Sequence, residues 1–213
     1  HQLRRIARGW EWISPPAILY HRGEAPIAES GPELRYLCDR HSIDFVVVDS
    51  LGYAGAATIE GEPVIAVYRV LRTLARPVLA VHHVSKGNGD ERTRTPYGSV
   101  YHRNSSRSCI ELRRVQEDDE DGLHLGLFHT KINRGRPQAP IGAHVVFSPD
   151  AVFFRPKDPK DVAGLAERIP LSARVQDLLR GGALGPEAIA QELGLGGTEH
   201  ETLGRELRRL RQR

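Results

Sequence analysis

Methionine is absent from the 213 residues of this chain, and cysteine occurs only twice. Cys38 and Cys109 lie far apart with no second thiol near either, so we expect two reduced thiols rather than a disulfide or a zinc site. Reduced thiols are typical of the cytoplasm, which is the expected compartment. Because a translated chain ordinarily begins with methionine, we also expect that residue 1 is not the natural start and that the sequence is a fragment.

Long apolar runs are missing as well. The longest, such as FVVVD and PVLAV, are far shorter than the roughly 20 residues of a membrane-spanning helix. The N-terminus is rich in arginine and interrupted by tryptophan, unlike the continuous apolar stretch of a signal peptide. From these residues we expect no membrane helix and no signal peptide. We also expect no membrane partner.

Lysine is scarce, because only four of the 30 basic residues are lysines and the rest are arginines. No lysine follows a glycine anywhere in the chain, so the phosphate-binding motif G-x-x-x-x-G-K-[ST] is absent. These residues thus lack the loop that cradles the phosphates of a nucleotide. The four lysines are Lys86, Lys131, Lys157 and Lys160.

The first half of the chain alternates between helical and extended patterns. In residues 60–75, Val64, Val67, Leu71 and Leu74 recur at helical spacing. Continuous apolar strands separated by helices are typical of a parallel sheet covered on both faces, with active sites at the carboxyl ends of its strands. The predicted helices are 1–9, 31–40 and 60–75, and the predicted strands are 17–20, 44–49 and 77–84.

After residue 107 the pattern changes to alternation of apolar and polar residues. The segments SCIELRRVQ and LHLGLFHTK alternate on either side of the acidic turn EDDEDG, which predicts an antiparallel hairpin. A second hairpin is predicted from AHVVFS and AVFF, around Pro149 and Asp150. These strands are expected to extend the parallel sheet, so that residues 1–155 form one α/β domain.

Residues 156–168 are rich in proline and charge and predict a linker. Three short helices are predicted beyond it, in residues 169–213. Pro186 opens the second helix, and Thr198 with Glu201 forms an N-cap pair for the third. Their order is typical of a helix-turn-helix or winged-helix segment. A wing hairpin would follow Arg213, so we expect this end to be truncated too.

The predicted strand over 44–49 ends in Asp49 and Ser50. A carboxylate at the end of so apolar a strand must be solvated, paired or bound to a metal. We therefore predict Asp49 as a metal ligand, with the hydroxyl of Ser50 binding beside it through a water. The alternative is an aspartate that caps the following loop.

Two histidines, His82 and His83, end the next predicted strand. Successive strand residues face opposite sides, so only one of them can face the same cleft as Asp49. A neutral imidazole at this place can bond a phosphate or its attacking water. Lys86, three residues after His83, favours His83 for this role. The alternative is a surface or core histidine.

The segment 86–107 combines glycine, hydroxyl and arginine residues with Tyr97 and Tyr101. Arginines bind phosphates and aromatic rings stack on bases, as in proteins that bind single-stranded nucleic acid. An ordinary solvated loop is the alternative. The predicted nucleic-acid-binding residues are Arg92, Arg94, Gly98, Ser99, Arg103 and Arg107.

The segment HTKINRGR, residues 129–136, presents Lys131 and Arg134 at the end of a predicted strand. Cations presented together can neutralise the charge on a phosphoryl group during its transfer. The alternative is solvent-exposed charge without a ligand.

In this order the motifs resemble the C-terminal half of a RecA-like ATPase, and most of all the RepA-type hexameric helicases and their phage and mobile-element relatives. FVVVDS resembles the Walker B strand, and HHVSK resembles the H-x-x-K phosphate sensor. YGSVYHRNSSRS resembles the Gly-Ser DNA-loop segment, and TKINRG resembles the K-x-x-R element that reaches the nucleotide of a neighbouring subunit. The resemblance covers roughly residues 1–155.

The resemblance implies a RecA-like parallel sheet with helices on both faces, extended by antiparallel strands and followed by a small helical unit. It implies ATP and Mg²⁺ as cofactors, with the metal at Asp49. It also implies DNA, single-stranded by preference, and a homo-oligomeric hexameric ring as partners. The phosphate loop and the catalytic glutamate would precede residue 1, so these residues alone are expected not to hydrolyse ATP. The implied site residues are Asp49, Ser50 and Lys86 at the nucleotide and His83, Lys131 and Arg134 in catalysis.

Two other functions also fit the sequence. One is a non-catalytic DNA-binding regulator with an ATPase-like body, which an intact phosphate loop upstream of residue 1 would exclude. The other is a metal-dependent nuclease that uses Asp49, although no second carboxylate lies nearby on an adjacent strand. The sequence leaves open whether an intact motor unwinds DNA, loads another helicase or serves recombination.

Overall fold

The computed structural model describes residues 2–11, 17–56, 60–83, 100–116 and 122–211. A π-helical turn at Gly52–Ala56 and a 3₁₀ turn at Pro159–Asp161 join longer elements. The helices are α1 (Gln2–Gly9), α2 (Gly31–Arg40), α3 (Gly61–Thr73), α4 (Tyr101–Ser105), α5 (Ala163–Ala166), α6 (Leu171–Arg180), α7 (Pro186–Glu192) and α8 (Thr198–Arg211). The strands are β1 (Val46–Val48), β2 (Val78–Ala80), β3 (Ser108–Val115), β4 (Gly122–Ile132), β5 (Ile141–Phe147) and β6 (Val152–Pro156).

The chain folds into two compact units, and two of the four positions at which it passes from one unit to the other fall within β3 and β4. We name them the α/β unit and the sheet unit. The α/β unit comprises residues 15–109 and 130–137, and the sheet unit comprises residues 1–14, 110–129 and 138–213. The domain limits expected from the sequence, at residues 155 and 168, stay predictions.

Helix α3 forms the core of the α/β unit. Val64, Val67 and Leu71 are buried on one face at helical spacing, as the sequence predicts, and Tyr68, which was not predicted, is buried with them. Leu74, the fourth residue of the predicted stripe, is also buried but lies just after the helix. The helix ends at Thr73, before Pro77, because a proline cannot continue the hydrogen-bond ladder. The strand residues that pack against this face are Val46, Val48, Val78 and Ala80.

The predicted RecA-like parallel sheet, covered by helices on both faces, is wrong. Among the described residues the parallel sheet contains only β1 and β2, and the four later strands form a separate sheet instead of extending it. The described residues cover only one face of this two-stranded sheet, since Val47 is 56% exposed and Leu79 is 51% exposed. An apolar run looks the same in the sequence whether one face or both are covered, which is why the prediction failed.

The predicted strand at 17–20 is also wrong. These residues adopt no regular structure, and all four are exposed. Proline residues before the segment favoured an extended conformation. No neighbouring strand is supplied within the part of the chain that the structure describes, and an extended segment becomes a strand only when its backbone is paired.

The sheet unit contains a four-stranded antiparallel sheet in the order β3-β4-β5-β6. Both hairpins predicted from alternation are found here. From Gly122 to Phe128 of β4 every second residue is buried, which is the pattern of a strand with one face on a core. That core joins Phe128 of β4 to residues that follow the sheet, namely Val162, Leu165 and Ile169.

The last three helices, α6, α7 and α8, share a core of their own and lie where the sequence predicts helices. Val175, Ile189, Ala190 and Leu203 are buried together. Pro186 occupies the first turn of α7, where its missing N–H costs no hydrogen bond. The assignment of these helices to a winged-helix segment stays a prediction.

No helix in the described ranges is long and apolar enough to span a membrane.

Candidate functional site

The ends of β1 and β2 meet, as expected for the carboxyl ends of neighbouring parallel strands. The N–H of Val81 donates to the carbonyl of Val48, and the N–H of Leu51 donates to the carbonyl of Val81, both at 2.9 Å. In a regular parallel ladder the two residues bonded to Val81 would be two apart rather than three. Asp49 and Ser50 therefore form a bulge beside the end of β2.

The two residues of this bulge have different environments. Asp49 is exposed, and no hydrogen bond or ion pair joins it to another residue that the structure describes. Ser50 is only 3% exposed, and its Oγ has no hydrogen-bond partner among the described residues. The Asp49 carboxylate can therefore reach a solvent cation, whereas the Ser50 hydroxyl lies inside the unit.

The two histidines differ in the same way. His83 is exposed, while His82 is half-buried and its Nδ1 lies 3.0 Å from the carbonyl oxygen of His83. Burial lowers the pKa of His82 below its ordinary 6.5, although the His83 carbonyl opposes this effect. A neutral ring that donates from Nδ1 carries its lone pair on Nε2, which is buried and has no partner in the part of the chain that the structure describes. His83 is thus the histidine that a solvent ligand can reach.

Helix α4 packs directly against these strand ends and against α3. The rings of His82 and His102 meet edge to face, with centroids 4.2 Å apart. The hydroxyl of Tyr68 lies 3.2 Å from the carbonyl of His102, and Arg72 donates to the carbonyl of Ser105 at 3.2 Å. Burial raises the pKa of Tyr68, so its hydroxyl stays protonated and can donate.

The C-terminal end of α4 is joined to the end of β4. Lys131 Nζ donates to the carbonyls of Arg103, Asn104 and Ser106, at 2.6, 3.2 and 2.7 Å. The guanidinium of Arg103 donates to the carbonyl of Thr130 at 2.8 Å. The structure thereby brings the described part of one segment that the sequence singles out, residues 100–107, next to the other, residues 129–136.

A further backbone bond joins the residues just after α4 to those just after β4. The N–H of Asn133 donates to the carbonyl of Arg107 at 2.9 Å. No acidic residue occurs in residues 100–110 or 129–140. We name the resulting group of exposed arginines the basic surface; its members are Arg103, Arg107, Arg134 and Arg136.

Several predicted site residues lie outside the described residues. Lys86, Arg92, Arg94, Gly98 and Ser99 are in this group, so their roles stay predictions.

No group of three or more histidine, cysteine, aspartate or glutamate side chains that could hold a metal ion occurs in the described parts of the chain. Asp49 alone offers one carboxylate. Mg²⁺ commonly binds proteins through one or two carboxylates and keeps several waters. A magnesium ion at Asp49 is compatible with this geometry but would depend on waters or on nucleotide phosphates for its other ligands.

Sequence reasoning missed His102, Tyr68 and Arg136 as parts of this site. Tyr68 belongs to the apolar stripe of α3 and reads as a core residue. His102, which is 2% exposed, lies in the polar segment YHRNSSR and reads as a surface residue. Only Arg136 carried a usable signal, because it continues the basic segment NRGR.

Comparisons with known proteins add no assignment of their own. No protein-family model matches the chain, and no curated protein matches it. The function must therefore be argued from the geometry of these residues.

Proposed function

We propose that this chain binds single-stranded nucleic acid, DNA in the first instance, through the basic surface. The observation that carries the proposal is the joining of α4 to the end of β4, which collects four exposed arginines on segments without an acidic residue. Guanidinium groups donate several hydrogen bonds in a planar fork and match phosphate oxygens. A backbone of regularly spaced phosphates is the ligand that such a group of arginines fits.

The preference for a single strand is supported by an aromatic ring on the same helix. Tyr101 opens α4, two residues before Arg103, and is 43% exposed. Aromatic side chains next to a basic groove stack on unpaired bases, which a duplex does not offer. The sequence of the nucleic acid would matter little, because stacking and phosphate contacts read no base edges.

Loss of the basic surface tests the proposal. We expect replacement of Arg103, Arg107, Arg134 and Arg136 by alanine to weaken binding of a fluorescent single-stranded oligonucleotide in anisotropy titrations. Each phosphate contact on a single strand contributes about 0.7 to the slope of log affinity against log salt, so four contacts predict a slope smaller by about 3. A fluorescent duplex of the same sequence should bind more weakly to the wild-type chain.

The matched control removes four other exposed arginines of the α/β unit, Arg22, Arg35, Arg40 and Arg69. It changes the net charge by the same amount and should keep most of the salt slope. An equal loss in the two variants would show that binding follows net charge and that the basic surface is not a site.

A second candidate is supported by the exposed Asp49 carboxylate and the exposed His83 ring at neighbouring strand ends. We propose ATP with Mg²⁺ as their ligand in a protein that also supplies a phosphate loop. Arg134 would then reach the nucleotide of a neighbouring subunit in a homo-oligomeric, hexameric ring. These residues alone should bind magnesium-ATP weakly, because phosphate loops provide most of the contacts to nucleotide phosphates. Micromolar ATP affinity measured by calorimetry on this chain would contradict that expectation.

A further inference from the structure

We propose that Lys131 is a positioning residue, which fixes α4 on the end of β4 so that Arg103 and Arg107 lie beside Arg134 and Arg136. This inference rests on the proposed nucleic-acid binding. It gives Lys131 a different role from that of a cation that meets a phosphate itself.

The first reason is that the donors of the Lys131 ammonium are in use. A lysine ammonium has three N–H donors, and three backbone carbonyls accept from this one, those of Arg103, Asn104 and Ser106. The last carbonyls of a helix have no partner within the helix, and a cation at this end also interacts favourably with the helix dipole. To contact a phosphate, Lys131 would have to break hydrogen bonds that it donates to carbonyls at the C-terminal end of α4.

The second reason is that α4 has separate attachments on its two sides. Tyr68 and Arg72 hold it on α3 through the carbonyls of His102 and Ser105. The Lys131 bonds, with that from Arg103 to Thr130, hold it on β4. Loss of Lys131 leaves the α3 attachments in place, so the expected effect is a change in the spacing between the two pairs of arginines rather than loss of the fold.

The test compares Lys131→Met with the control Lys157→Met, which removes the charge of a lysine outside the site. Hydrogen exchange is measured at the amides of Asn104 and Ser106, which donate to the carbonyls of Val100 and His102. Both amides should exchange faster in Lys131→Met only. The slope of log affinity against log salt for single-stranded DNA should fall by more than the roughly 0.7 that one phosphate contact contributes. The reason is that Arg103 and Arg107 would both move away from the phosphates that they contact.

The same substitution in a double mutant distinguishes a Lys131 that positions arginines from a Lys131 that contacts phosphate. In a chain that already carries Arg103→Ala and Arg107→Ala, Lys131→Met should change neither the affinity nor the slope, because Lys131 has no arginines left to place. A further loss of about 0.7 in slope there would identify Lys131 as a phosphate ligand and overturn the inference. Unchanged exchange at Asn104 and Ser106 in Lys131→Met would overturn it as well.

Two more variants complete the design. Lys131→Arg, which can donate to the same carbonyls, should restore the slow exchange and most of the affinity. If Lys131→Met does not fold, Lys131→Gln is measured in its place; its two N–H donors cannot serve all three carbonyls, so smaller changes in exchange and slope are expected, in the same directions. Absence of salt-dependent binding in the wild-type chain would instead show that the proposed function fails, before any variant is compared.

Discussion

The two sheets of this protein differ in how they use apolar residues. β1 and β2 are three residues long, are almost entirely aliphatic and bury only one face, on α3. β3 and β4 are longer, alternate polar with apolar residues, and belong to a sheet with its own core. Among the described residues the short sheet packs mainly on α3, whereas the long sheet is held by backbone pairing along its strands and by contacts with the segments that follow it.

The two sheets also differ in where they keep charge. The described strands of the short sheet contain none, and Asp49 lies beyond the end of β1. The long sheet buries charge within its structure. Glu111 of β3 accepts from Arg113 at 2.7 Å and from Arg168 at 2.7 and 2.9 Å, and each of the three side chains is less than 20% exposed. A mutation that removes a buried charge should therefore affect the long sheet most.

The largest expected effect is that of Glu111→Ala. It removes the carboxylate to which both guanidinium groups donate and leaves the buried guanidinium of Arg168 without this ion pair, so the free energy of unfolding should fall by about 3–5 kcal/mol. Urea denaturation followed by circular dichroism measures the change.

The control for this prediction is Glu62→Ala, which breaks an exposed ion pair with Arg69. Such pairs contribute about 0–1 kcal/mol. If the free energy of unfolding fell by similar amounts in the two variants, the buried ion pairs would contribute no more stability than an exposed pair.

A smaller effect distinguishes the two faces of the short sheet. Leu74 is 1% exposed in the core on the covered face, so Leu74→Ala should lower the free energy of unfolding by about 2–5 kcal/mol. Leu79 lies on the open face, and Leu79→Ala should change it by no more than about 0.5 kcal/mol. Both values come from the same denaturation experiment. A large loss for Leu79→Ala would show that the open face is covered in the protein in solution.

The smallest effect concerns pH and the α/β unit. The folded state lowers the pKa of His82, so protons bind the unfolded chain more readily. The contribution of neutral His82 to the stability of the folded state is complete above the ordinary histidine pKa of 6.5. It is lost as the pH falls from 6.5 towards the lower pKa that His82 has in the folded state. We expect the wild-type chain to lose stability over this range and His82→Gln to lose less, as measured by thermal unfolding at several pH values. Identical pH profiles would contradict the prediction.

The sequence predicted elements best where the signal is local. Residues 31–40 and 61–73 are helices because their apolar residues repeat with the helical period, and the hairpins follow from alternation and turn residues. The failures concern pairing at a distance. The number of strands in a sheet and the faces that are covered cannot be predicted from the composition of β1, β2 or residues 17–20.

The candidate site divides in the same way. Asp49, the two histidines and the separate basic segments were predicted from residue type and position in the chain. That Ser50 is buried, that His102 meets His82, and that Lys131 bonds the end of α4 were not. The last two depend on where α4 lies relative to strands that are distant in the chain.

The sequence by itself determined the period of each segment, the charges available and the absence of a phosphate loop, because these are properties of neighbouring residues. Only the tertiary structure decided which charges are exposed, which are buried and which meet. Burial and contact arise when elements pack, and packing is set by the whole set of apolar faces together rather than by any one segment. The basic surface exists because α4 and the end of β4 are joined there, and neither segment alone specifies that joining.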